Sequence, residues 1–143
     1  MAPAPGPHPP WRAMRMLLAL AVAGLALAPA AAAAVYDGST PLLCAVNTVM
    51  ECDDSGRCQR HGASQFPPFL RINVPGKVIT AGGTDARKTE IKTVTRLDGR
   101  LILHGGENGR GWAATIAEDT GRMSAGVVAD DFTFALFGAC TTP

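Results

Sequence analysis

The stretch that decides the fold runs from Val94 to Cys140, VTRLDGRLILHGGENGRGWAATIAEDTGRMSAGVVADDFTFALFGAC. Turn signals divide it at Asp98-Gly99, Asn108-Gly109, Asp119-Thr120-Gly121 and Asp130-Asp131. Asp-Gly and Asn-Gly between apolar runs are strong hairpin signals, because these residues tolerate the positive φ of a type I′ turn. Between the turns, apolar residues alternate. Trp112, Ala114 and Ile116 share one face, as do Met123, Ala125 and Val127, and again Phe132, Phe134 and Leu136. A period of two marks a half-buried strand.

The same rhythm extends toward the N-terminus through Asp54-Ser55-Gly56, Pro75-Gly76 and Gly82-Gly83-Thr84-Asp85. It predicts strands over 42–52, 56–61, 69–74, 77–81, 89–97, 100–105, 112–118, 122–129 and 132–140. The count is eight or nine, depending on whether 69–81 is one bent strand or two. Nothing beyond residue 34 repeats every 3.6 residues; the nearest to a helix is one turn around Ala63–Phe66, stopped by Pro67-Pro68. Many short strands with turns every ~8–12 residues predict an all-β fold. The expected architecture is a small antiparallel up-and-down β-barrel of eight or nine strands, with a β-sandwich as the alternative.

The first 34 residues read differently. Residues 1–16 carry Arg12 and Arg15 and no acid, Leu17–Ala28 is wholly apolar apart from Gly24, and Pro29 is followed by five alanines. A basic segment, an apolar segment and an A-x-A end form a secretory signal peptide, expected to be cut after Ala34 to leave a single β domain over 35–143. Translation starts at Met1, Met14 or Met16 on this reading. An uncleaved anchor is the alternative, since Leu17–Val35 is just long enough to span a bilayer. The protein is therefore expected in the periplasm or outside the cell, with no membrane span after cleavage.

Of 143 residues, 47% are hydrophobic and 17% charged, but 23 of the hydrophobic ones lie in the first 34 positions. Positions 35–143 carry 11 Lys and Arg against 12 Asp and Glu. That balance argues against a nucleic-acid groove or an anionic-membrane surface, both of which show a basic excess. Arginine outnumbers lysine 8 to 3 there, and Arg96 and Arg100 flank the Asp98-Gly99 turn. With Arg57 and Arg60 they could meet an anionic partner, although their scatter suits a solvated surface better.

All four cysteines, Cys44, Cys52, Cys58 and Cys140, follow the leader, and an even number in an exported chain predicts two disulfides. Cys44 and Cys52 lie on one strand, ~26 Å apart at ~3.3 Å per residue, too far to bridge. In Cys52-Asp53-Asp54-Ser55-Gly56-Arg57-Cys58 the turn centres on Ser55, which puts Cys52 opposite Cys58 across a hairpin. Cys44 is left for Cys140, joining the first strand to the last. A metal site of Cys52, Cys58 and His61 has no common zinc spacing.

LLCAVNTVMECDDSGRC, FPPFLRINV, VTRLDGRLILHGGENGRGW, EDTGRM and the closing FALFGACTTP, preceded by an export signal, resemble a family of small exported proteobacterial proteins. The resemblance covers most of residues 35–143. It implies an envelope location and a compact β fold; the family has no assigned activity, so the resemblance implies no catalytic or binding residue. A second likeness is to the small β-barrel inhibitors of lysozyme in bacterial periplasms, which share size, export and a disulfide. Their inhibitory loop has Ser-Gly followed by Tyr. Here Ser55-Gly56 is followed by Arg57-Cys58, and the single tyrosine is Tyr36.

Candidate chemistry is sparse. His104 ends a strand with Glu107 three residues on, and Thr115, Ser124 or Thr133 could face it, but no nucleophile elbow is present. Gly105-Gly106-Glu107-Asn108-Gly109-Arg110-Gly111 resembles a phosphate loop in composition only, because a strand-like run follows where a helix is required. It predicts a wide hairpin loop. Asp53-Asp54 and Asp130-Asp131 lack the spaced ligands of a calcium loop and read as turns. No catalytic residue, cofactor or metal is expected.

The expected function is binding or interaction in the envelope, with a small apolar ligand or another envelope protein as partner. The alternative is an enzyme inhibitor acting through loop 105–111, with Arg110 and Trp112 as anchors of the kind enriched at interfaces. An enzyme ranks last. A barrel lined by Ala113, Ala114, Ala117 and Gly126 would hold a ligand; one filled by Trp112, Met123, Phe132, Phe134 and Phe137 would not.

Overall fold

A computed structural model describes residues 35–62, 66–82 and 86–143. The signal-peptide segment and most of the expected helical turn at Ala63–Phe66 lie outside the described residues. Among those described there are nine strands and no helix. They are β1 (Leu42–Asp53), β2 (Cys58–His61), β3 (Phe69–Asn73), β4 (Val78–Ala81), β5 (Lys88–Leu97), β6 (Arg100–Glu107), β7 (Arg110–Ala117), β8 (Arg122–Val128) and β9 (Phe132–Thr141). Residues 69–81 are thus two strands, divided by a tight turn with Lys77 at φ 51°.

Each strand from β3 to β8 pairs antiparallel with its successor, and β9 returns to β1. The result is a closed eight-strand barrel of β1 and β3–β9, with β2 as an extra strand. On its other edge β1 pairs β3 through Leu42–Ala45 and β2 through Val49–Cys52. One long strand therefore serves two short partners end to end. Closure leaves few unpaired edges of the kind through which sheets aggregate.

Both expected disulfide pairs are at bonding distance. Cys44 and Cys140 are direct cross-strand partners in β1 and β9, and their sulfurs lie 2.08 Å apart. Cys52 and Cys58 face each other across the β1–β2 hairpin at 2.02 Å. The Asp53 carboxylate organises that hairpin by accepting hydrogen bonds from the Ser55 hydroxyl at 2.6 Å and the Arg57 amide at 3.0 Å. The Ser55 hydroxyl first, and then the Arg57 amide, hold the Asp53 carboxyl below the usual aspartate range.

Alternation decides the core. Leu42, Cys44, Ile72, Ile91, Leu101, Leu103, Ala114, Ile116, Met123 and Cys140 point inward and form the buried core, toward the end of the barrel where β1 starts and β9 finishes. Residues before β1 close that end. The Arg96 guanidinium donates to the Asp37 carbonyl at 2.7 Å, and the Tyr36 amide donates to the Glu118 carbonyl at 3.2 Å. Two irregularities reset the alternation, at Asn47 in β1 and at Lys92 in β5. The Asn47 bulge turns Val49 and Glu51 inward, whereas unbroken alternation from Cys44 would have pointed them out.

Candidate functional site

The opposite end of the barrel is lined by the far halves of the same strands. Glu107 and Arg110 are Cα partners joined by the Asn108-Gly109 turn, with both turn residues at positive φ (50° and 75°). This corrects the expected wide loop. Residues 105–107 and 110–111 belong to paired strands, and only Asn108-Gly109 stands outside the ladder. The reason is that Asn-Gly alone satisfies a type I′ turn, so the flanking glycines can stay in the sheet. Arg110 and Trp112 are accordingly not tips of an exposed loop. They occupy the inward face of β7, with Arg110 at the rim and Trp112 half-buried one step below.

Trp112 is fixed from two sides. Its indole N–H donates to the Thr89 hydroxyl at 2.9 Å, and its ring lies across Gly105, where an added Cβ would come within 2.2 Å of Cζ2. A half-buried indole N–H needs such a partner. Thr89→Val is expected to cost about 1 kcal/mol and to shift Trp112 emission. Thermal melts, together with fluorescence of a chain whose other tryptophan, Trp11, is replaced by Phe, check both.

Below the rim is a cavity of about 220 Å³ walled by Leu70, Ile79, Thr89, Trp112, Val127 and Leu136, with Glu107 and Arg110 at its edge. Beside it an aromatic cluster lines the β1–β9 wall. Phe134 meets Phe66 edge-on at 5.2 Å and Phe132 at 5.0 Å, and His61 packs against Phe66 at 5.2 Å. His61 Nε2 also bonds the Glu51 carboxylate. The Arg110 guanidinium carbon lies 5.3 Å from the centre of the Phe132 ring. The described ion pairs are Arg57–Asp53, His61–Glu51, Lys92–Glu90 and Arg96–Glu118. Among the described residues, then, neither Glu107 nor Arg110 has an ionic partner, although their backbones face each other.

The other candidates disperse. His104 is exposed on the outer face of β6, with Glu107 on the inner, so the two do not act together. Arg96 and Arg100 sit at the closed end of the barrel, whereas Arg57 and Arg60 lie at the β1–β2 hairpin, where Arg57 bonds Asp53 and Arg60 bonds the Thr48 hydroxyl at 3.0 Å. Cys52 and Cys58 are spent on each other and leave His61 without cysteine co-ligands. Among the described residues no group of three metal-ligating side chains converges.

The lining is divided between the two expected cases. Met123 is buried in the closed half, Trp112 walls the cavity, and Phe132 and Phe134 sit half-buried in the aromatic cluster beside it. Ala114 points in; Phe137 is 49% exposed on the outer surface. The pairing of Glu51 with His61 went unseen in the sequence, because the bulge at Asn47 sets which face Glu51 takes. The chain matches no family model, no curated protein and no solved structure in comparisons with each.

Proposed function

We propose that this protein is an exported binding module that takes a small, largely apolar ligand into the open end of its barrel. The observation that carries the reading is the 220 Å³ largely apolar cavity at one end of a barrel whose buried apolar core lies toward the other end. A dry apolar cavity of about 150 Å³ is enough to take up benzene, so this one accommodates a single ring or a short branched chain. Eight-stranded barrels hold ligands of this size elsewhere. Export is supported by the N-terminal pattern and by two disulfides, which persist in oxidising compartments, and it agrees with the resemblance to small exported proteobacterial proteins.

The test is direct because Trp112 walls the cavity. Toluene titrated into the Trp11→Phe chain is expected to shift Trp112 emission saturably. Leu136→Trp, which fills the cavity from β9, is expected to abolish the heat of toluene binding in calorimetry while leaving the fold intact. Linear, unsaturable toluene titrations of the chain with Leu136 intact, by fluorescence and by calorimetry, would remove the cavity from consideration.

A further inference from the structure

Resting on that reading of the cavity, we infer that its ligand is a zwitterion: a small molecule with an ammonium and a carboxylate on one carbon and an apolar side chain, such as an apolar α-amino acid. Glu107 and Arg110 are opposite charges on directly paired residues at the rim, within reach of a favourable cross-strand contact. They do not make it. Arg110 leans on the Phe132 ring at 5.3 Å, which holds its guanidinium on the β9 side of the mouth. The two charges are therefore kept apart with the cavity opening beneath them.

A carboxylate matches the fork of donors on Arg110, and an ammonium matches the acceptor oxygens of Glu107. The apolar side chain of such a ligand then points down against Leu70, Ile79, Val127 and Leu136, which supply no hydrogen bonds. A purely anionic amphiphile would leave Glu107 as a repelling charge beside its head, and a purely cationic one would leave Arg110 in that position. The zwitterion alone satisfies both.

Phenylalanine, 3-phenylpropanoate and phenethylamine share a benzyl group and differ only in which charge is missing. In calorimetric titrations of the intact chain at neutral pH, phenylalanine is expected to bind at least about tenfold tighter than either relative. Glu107→Gln should reduce phenylalanine to the affinity of 3-phenylpropanoate, and Arg110→Gln to that of phenethylamine. Both side chains sit at the exposed rim, and unchanged melting curves would show that the variants fold. Tighter binding of 3-phenylpropanoate than of phenylalanine, or no effect of Glu107→Gln on phenylalanine, overturns the zwitterion. If toluene binds but all three charged probes bind no better, the head-group inference fails and the cavity reading stands. If nothing binds, toluene included, both fail.

Discussion

Replacing Cys44 and Cys140 together by alanine is expected to lower the melting temperature by about 20 °C, roughly twice the loss from replacing Cys52 and Cys58. The two bridges close loops of very different length, with separations of 96 and 6 residues. In the chain-entropy account the long loop is worth ~4–5 kcal/mol and the short one ~2 kcal/mol. A domain of this size has only about 5–15 kcal/mol of net stability, so the long bridge is a large share of it. Burial adds to the contrast. Cys44 and Cys140 are 0% and 6% exposed within the core, whereas Cys58 lies on the surface. Losing the first pair also leaves a void between β1 and β9. Thermal unfolding of the two double variants, followed by circular dichroism, decides the point. Equal losses would mean that the seam between first and last strand holds without its bridge.

Gly138→Ala should be nearly as damaging, at about 3 kcal/mol. A Cβ on Gly138 would stand 2.0 Å from the carbonyl oxygen of Ala45 in the facing strand. The obstacle is backbone, not the movable end of a side chain, so β1 and β9 must part to admit it. They are poorly able to do so, because the Cys44–Cys140 bridge clamps them two residues away and the Asn47 bulge fixes their register on the other side. Gly111→Ala is the control, since nothing lies within 4 Å of a Cβ there. Urea unfolding should show a reduced midpoint for Gly138→Ala with little change in slope, and a near-native curve for Gly111→Ala. In a Cys44→Ala/Cys140→Ala background the Gly138→Ala loss should shrink, because unclamped strands can separate. Strict additivity would argue against the clamp.

Both expectations concern the seam that closes the barrel, and the sequence already pointed there. Asp98-Gly99 and Asn108-Gly109 demand hairpins, the alternation from Trp112 to Leu136 demands strands, and the spacing of four cysteines admits one pairing that respects strand geometry. These are local rules of turn conformation, a side-chain period of two, and the reach of an extended chain. They hold whatever the strands later pack against.

How the barrel is filled from end to end depends instead on pairing between strands distant in sequence. Alternation names the residues on one face of each strand but not the level at which they meet those of the other strands. That level follows from stagger and from the bulges at Asn47 and Lys92, which involve pairing between segments far apart in sequence. Ile72, Leu101 and Ile116 thereby converge in one half, while Leu70, Trp112, Val127 and Leu136 ring an open space in the other. The same register brings Phe132 beneath Arg110 across two intervening ladders and holds Arg110 off Glu107, its nearest opposite charge along the chain. A cavity is a difference between the volume enclosed and the volume supplied. No single strand carries that difference in its own residues, so it exists only once the closed sheet has set all the inward faces against one another.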